Sequence, residues 1–364
     1  MSTAAPDYPF PTAPPYPPAE LPKRFGVVIV DQDPDSALHF KVMTPLQWGQ
    51  VSGVRRLVTP EQPFELRTHL KALTGPAAEL KVAIAYLTQE VSPSDWLATF
   101  LESQGEKVVR EKHFTREGGT QPDVLTLAGA EGTQRISRWV VLKNWAKIGG
   151  AHLFVLQAST QARDYTPEMA DVFFMAVSSF DLMHPTEWPY AEQLRTLVRA
   201  VPTNLSTVFP LSWEQQENPR NDEHLYQVKL TKQLDGRSIG LINLMVLAGQ
   251  QEADLRQLAE DARKAYAAEQ LEFAPAEFAP VAAFGRFEQV YSVLTPQTNA
   301  AEGSAAQERQ ILLARAGAYW VYLENVRFTR EAAPKEWAVS NRAFDIVQAH
   351  LVIGPPAHFA ATPG

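Results

Sequence analysis

Apolar residues run through this chain in two rhythms. Some stretches are short and continuous or alternate every second residue; others are longer and recur every third or fourth residue. Val27–Val30, Leu153–Leu156 and Leu241–Leu247 belong to the first kind and predict strands. Between them lies a stretch in which Trp96, Leu97, Phe100 and Leu101 fall on one helical face. Its ends are marked: Ser92 can cap, Pro93 suits a first turn, Asp95 complements the dipole and Gly105 stops the helix. Later in the chain Leu255, Leu258, Ala259, Ala262 and Tyr266 form a stripe of the same kind. Both helices are expected to lie on a sheet.

The order of these elements repeats. Pro45-Leu46-Gln47-Trp48 and Pro210-Leu211-Ser212-Trp213 share a Pro-Leu-x-Trp pattern at an offset of 165 residues. The strand Ala151–Leu156 aligns on Ala318–Leu323 at an offset of 167, and the alignment continues into a helix. There Pro167 falls on Pro334, Val172 on Val339, Ala176 on Ala343, Val177 on Phe344 and Phe180 on Val347; Phe173 on Ser340 departs from the stripe. Upstream, Arg138–Leu142 and Arg309–Leu313 align as strands feeding hairpins, turned at Gly149-Gly150 and Ala316-Gly317. Each half thus reads strand, turn, strands, helix, antiparallel strands, final helix. That order predicts an α+β fold, two tandem antiparallel-sheet domains with flanking helices, rather than a parallel doubly wound sheet.

The segmentation follows. Residues 1–24 form a proline-rich extended arm, 25–184 a first domain, 185–203 a linker, 204–354 a second domain and 355–364 a frayed tail after Gly354-Pro355-Pro356. Leu194, Leu197, Val198 and Val201 stand at helical spacing between Pro185, Pro189 and Pro202, so the linker is expected to be a packed helix. In the arm each proline fixes φ and removes a donor, which leaves polyproline II. It is either a solvated tail or an arm whose Phe10 and Tyr16 dock on a groove, and the tail is the expectation.

Composition narrows the function. With 364 residues, 45% hydrophobic and 20% charged, the chain has length and apolar content for two cores. A net charge of −8 with scattered Lys and Arg argues against nucleic acid. The absence of Cys rules out disulfides and thiolate chemistry and agrees with a reducing, cytoplasmic setting. Met1–Leu21 lacks both a basic start and an apolar run, so no export signal is expected, and no apolar stretch nears the ~18 residues of a membrane span.

Candidate chemistry is sparse. Val27–Val30 followed by Asp31-Gln32-Asp33-Pro34-Asp35 has the look of an aspartyl nucleophile loop, but the later Lys and acidic motifs of such enzymes are missing, and an acidic turn is the expectation. As a calcium loop the string would place Ser36 and Val42 where Gly and Glu are needed. The eight histidines stand singly, so no metal is expected. Glu260-Asp261, Glu111 and Glu117 read as solvated charges, and no Gly-x-Ser-x-Gly, Walker or Gly-x-Gly-x-x-Gly motif occurs. No cofactor and no enzymatic activity are expected.

The order of elements, with an early Pro-x-x-Trp-type turn at Pro45–Trp48 and Pro210–Trp213, resembles the PsbP/DcrB-like superfamily across nearly all of both halves. Within it the chain looks most like the EagR-type chaperones of bacterial type VI secretion, although the Gly of their Pro-x-Gly-Trp turn is missing from both copies. That resemblance implies a chaperone or adaptor that shields a hydrophobic segment of a protein partner. The hairpins are rich in aromatic residues, among them Trp139 and Trp320, and Trp145, Phe154, Tyr319 and Tyr322 are the candidate partner-binding surface; alternatively a helix or the sister domain covers them. A structural subunit of a larger assembly and an unrecognised hydrolase are the other readings.

Overall fold

The computed structural model describes residues 7–51, 65–146, 149–234, 236–301 and 304–354. The expected tail at 355–364 lies outside them. The chain divides into two compact units, Met1–Ala191 and Glu192–Gly364.

In the first unit a short helix α1 (Leu21–Arg24) leads into β1 (Phe25–Val30), β2 (Phe40–Pro45), β3 (Trp48–Gln50), β4 (Glu65–Ala72) and β5 (Ala78–Leu87). Helix α2 (Pro93–Ser103) follows, then β6 (Lys107–Phe114), β7 (Gln121–Ala128), β8 (Arg135–Trp145), β9 (Ala151–Gln161), α3 (Pro167–Ser178) and β10 (Asp181–Leu182). The second unit runs β11 (Leu194–Arg199), β12 (Asn204–Pro210), β13 (Glu214–Glu217), β14 (Leu225–Leu234), β15 (Arg237–Ala248), α4 (Glu252–Ala268), β16 (Ala279–Pro280), β17 (Gln289–Pro296), β18 (Gln307–Ala316), β19 (Tyr319–Phe328), α5 (Pro334–Ala349) and β20 (Val352–Gly354).

The two topologies are the same. Seven strands are ordered β3-β4-β5-β9-β8-β7-β6 in one unit and β13-β14-β15-β19-β18-β17-β16 in the other, each beside a three-stranded sheet, β1-β2-β10 or β11-β12-β20. All pairs are antiparallel. The large sheets are covered on both sides. One face of the first packs Leu80, Val82, Val140 and Leu156 against Phe40, Phe173 and Val177 of β2 and α3; the other packs Val124, Trp139, Val141 and Val155 against Leu97 and Leu101 of α2. In the second unit Leu244, Leu312 and Val321 meet Phe344 and Val347 of α5, while Ile311, Leu313 and Trp320 meet Leu255 and Ala259 of α4.

Local signals place the helices. Thr166 caps α3 by accepting from the Met169 amide at 3.3 Å, and Gln251 with Asp254 forms a capping box on α4. Ser92 departs from expectation: it precedes α2, but its hydroxyl donates to the Thr120 carbonyl at 3.2 Å and accepts from the Thr120 amide at 3.0 Å. It ties the β6–β7 loop to the helix instead of capping it.

The expected linker helix at 185–203 is not a helix. Residues 194–199 are β11, which pairs with β12 from Leu194↔Pro210 to Arg199↔Leu205, as β1 pairs with β2. The spacing misled because its members face different ways: Leu197 is 2% exposed, whereas Val198 is 59% and Val201 52% exposed. An edge strand with one buried position carries too little alternation to outvote a chance helical stripe.

One alignment of the halves also shifts. Arg138 stands opposite Ala158, and the 167-residue offset carries Ala158 to Asn325, whereas Arg309 stands opposite Val326. Arg138 and Arg309 are therefore one residue out of register and point to opposite faces of their sheets. Arg138 lies with α3, and Arg309 lies beneath α4.

The arm, expected as a tail, is laid on the first unit. Tyr8 and Phe10 pack against the core on the α3 side, and Tyr16 packs with Leu21 against Phe25 and Phe174. Aromatic side chains between prolines bury area at low entropic cost because the prolines have already fixed the backbone.

Candidate functional site

The aromatic residues expected to receive a partner do not form one surface. Phe154 is fully buried between Phe40 and Phe180, with ring centroids 5.9 and 5.3 Å away. Tyr322 is 1% exposed beneath α4 and hydrogen-bonded to Arg309 and Glu324. Neither can meet a partner, because each sheet face is covered by a helix of its own unit. Tyr319 is half-buried against the core on the α5 side. Trp145 is half-buried at the end of β8, where its backbone amide donates to Thr186 Oγ1 at 3.1 Å. Phe154 and Tyr322 are thus covered within their own units, and Trp145 and Tyr319 are covered in part.

Beneath α4 the polar groups form a network. The Glu324 carboxylate accepts from Arg309 Nε at 2.5 Å, the Tyr322 hydroxyl at 3.0 Å, the Tyr266 hydroxyl at 3.2 Å and Asn243 Nδ2 at 3.4 Å. Arg309 also donates to the Ala259 carbonyl of α4 at 2.9 Å. Burial first, and then the Glu324 carboxylate, pushes both phenols far above their ordinary range, so both act as donors. With both Glu324 oxygens engaged, this arrangement holds the helix to the sheet, although Arg309 Nη1 is buried without a partner.

In the first unit the corresponding side is more open, because α2 is 11 residues long where α4 has 17. A hollow of about 210 Å³ there is lined by Lys71, Glu79, Arg135, Ser159 and their neighbours. Glu79 accepts from His69 at 2.8 Å, Lys81 at 2.6 Å and Ser159 at 3.3 Å. Burial alone would raise its pKa, but the hydrogen bonds from Lys81 and His69 outweigh burial and hold it down at about 2. Ser, His and Glu meet here in the wrong order for nucleophilic catalysis. The carboxylate sits between serine and histidine, so the serine hydroxyl faces an acceptor of very low basicity instead of an imidazole.

The Asp31–Asp35 string is an acidic turn. Asp33 accepts from the Asp35 amide at 2.8 Å and pairs with Arg67 at 2.7 Å, and Asp35 accepts from the Ala37 amide at 2.9 Å. Among the described residues no group of three His, Asp or Glu side chains is placed to hold a metal.

Four exposed aliphatic residues, Val27, Ile29, Val198 and Val352, stand on the small sheets, while others such as Leu73, Val108 and Leu294 lie on or beside the large ones. Val27 and Ile29 alternate outward along β1 at 59% and 54% exposure, beside Met43 across the ladder. In the second unit Val198 of β11, Ser206 of β12 and Val352 of β20 form one outward row. The leucine of each Pro-Leu-x-Trp pattern is also exposed, Leu46 at 60% and Leu211 at 45%. Among the described residues β1 and β11 are edge strands with one side unpaired.

These features define a duplicated α+β protein of two seven-stranded sheets, each roofed by its own helices and each beside a three-stranded sheet. No protein-family model matches the chain, and no curated protein sequence matches it. Among solved structures it is similar to the cyanobacterial PsbP protein CyanoP from Synechocystis sp. PCC 6803, at 14% identity and a TM-score of 0.31 over 44% of this chain and 92% of that one. It is also similar to the immunity protein TplEi of T6SS from Pseudomonas aeruginosa, at 8% identity and a TM-score of 0.24 over 82% of this chain and 99% of that one. A chain of the Tle4-Tli4 complex gives 10% identity and a TM-score of 0.24 over 82% of this chain and 100% of its own. Likeness at these values carries no argument about function. No helix among the described residues is long and apolar enough to cross a membrane.

Proposed function

We propose that the chain is a non-enzymatic protein-binding chaperone or adaptor, and that it holds an apolar segment of a protein partner on the outer faces and free edges of its two small sheets. The observation that carries this reading is a pair of exposed aliphatic positions repeated in both units, Ile29 and Val198 on β1 and β11, and Leu46 and Leu211 in the Pro-Leu-x-Trp pattern. An unpaired strand edge supplies main-chain hydrogen bonds to an added strand, and flanking aliphatic side chains supply burial. Covering one half-exposed valine or isoleucine contributes about 1 kcal/mol. A secreted or membrane-inserting client with a hydrophobic segment fits this chemistry, as the EagR-like pattern of the sequence implies.

The test is affinity capture from the native host with tagged wild-type protein and with the Ile29→Asp/Val198→Asp variant, both checked for unchanged circular dichroism. One dominant partner bearing an apolar segment, lost with the folded variant, supports the reading. Several partners in fixed ratio that the variant retains would overturn it and identify a structural subunit instead.

A further inference from the structure

The arm makes contacts whose chemistry is more specific than simple packing. The Pro9 carbonyl accepts from the Tyr165 hydroxyl at 3.0 Å, and the Pro11 carbonyl accepts from Arg138 Nη2 at 2.8 Å. Between them the Phe10 ring lies on the Arg138 guanidinium, 4.5 Å from its carbon. Asp7 pairs with Arg110 at the outer end, and Tyr8 meets the Tyr165 ring edge-on at 6.2 Å. Pro9 and Pro11 have no N–H, and at both their carbonyls the groove supplies a donor. The Pro9 and Pro11 carbonyls, two residues apart with the Phe10 ring between them, meet the Tyr165 hydroxyl, Arg138 Nη2 and the Arg138 guanidinium plane.

The groove is built without the arm. Asp123 holds Arg138 through two bonds, from Nε at 2.9 Å and from Nη2 at 2.6 Å, and Phe174 of α3 supports the other guanidinium face at 5.0 Å. Tyr165 is braced by Phe173 at 5.6 Å, and burial raises its pKa, which keeps its hydroxyl a donor. The arm residues 8–11 are themselves only half-buried. At the far end Tyr16 is anchored on Phe25 at 5.6 Å and under Arg24 at 4.9 Å, giving the arm a pivot.

We propose that residues 8–11 are a self-ligand: the groove of Tyr165, Arg138, Phe174 and Arg110 is a binding site for an extended Pro-aromatic-Pro segment, and a protein partner carrying such a segment displaces the chain's own arm. Every contact the arm makes is to a backbone carbonyl, a ring or one carboxylate, and none depends on the segment belonging to this chain. Tethering gives the resident arm an effective concentration of order millimolar, so the site is closed to weak competitors and open to a segment that is presented locally.

The probe is a fluorescently labelled peptide with the sequence of residues 7–16, titrated by anisotropy into the full-length chain and into its Phe10→Ala variant. Losing the ring–guanidinium contact weakens the resident arm by about five- to tenfold, so the peptide binds the variant tighter than the wild type by that factor. A peptide carrying the same Phe10→Ala change binds the variant protein correspondingly more weakly. Absence of peptide binding to the folded Phe10→Ala protein at millimolar concentration would overturn the proposal and leave the arm a structural element. A concentration-dependent dimer abolished by Phe10→Ala would also overturn it, in favour of arm exchange between copies. None of these readouts involves the small sheets, so the outcome is independent of the function proposed above.

Discussion

Replacing Glu324 by leucine tests whether the network under α4 is a charge-compensated clamp. Arg309 is fully buried, and Glu324 is its only carboxylate partner in the network. Removing that partner leaves a guanidinium whose remaining acceptors are the Ala259 carbonyl and the Tyr322 hydroxyl, both neutral. Breaking a buried pair on one side costs about 3–5 kcal/mol, because the surviving charge keeps its desolvation penalty. For a unit of this size that lowers the melting temperature by roughly 10 °C. Replacing both partners, Arg309→Met with Glu324→Leu, removes the charge along with its partner and recovers most of the loss. The assay is hydrogen exchange of amides in β18, β19 and α4, which reads the second unit without relying on a single two-state transition for the whole chain. A Glu324→Leu loss below about 1 kcal/mol, or a double variant as unstable as the two single losses combined, would refute the clamp.

Two further predictions concern packing and pH. An added Cβ at Gly240 would run into Ser340 of α5 and Trp213 of the second Pro-Leu-x-Trp pattern, so Gly240→Ala destabilises the second unit by about 1–3 kcal/mol in denaturant titration; an unchanged midpoint would show that α5 can shift freely. Glu79 titrates at about 2 in the folded chain against an ordinary 4.5, so it contributes stability above pH 4.5 that is lost as the pH falls from 4.5 towards 2. Glu79→Gln therefore flattens the decline of stability across that window in acid titrations followed by circular dichroism, and superimposable wild-type and variant slopes would contradict the assignment.

By itself the sequence determined the class of fold, the duplication, and the extent of the long helices and hairpins. Those features rest on patterns contained within one element: Trp96, Leu97, Phe100 and Leu101 share a face whatever lies beneath, and Pro167 opens a helix just as Pro334 does. What the tertiary structure alone decided concerns weak edges, register and cover. Residues 194–199 became a strand because β12 offered a ladder, and a propensity argument cannot weigh a partner that is distant in space. Arg138 and Arg309 looked equivalent until cross-strand pairing put them on opposite faces, since a slip of one residue reverses every side chain. Phe154 and Tyr322 lie under helices, while Val27, Ile29 and Val198 stand exposed, and aromatic or aliphatic identity is silent on which of two sheet faces a helix will cover. The arm docked because Arg138, anchored by Asp123, presents a donor and a flat cation where Phe10 and Pro11 arrive, a match between residues 127 positions apart in sequence that only the folded chain brings together.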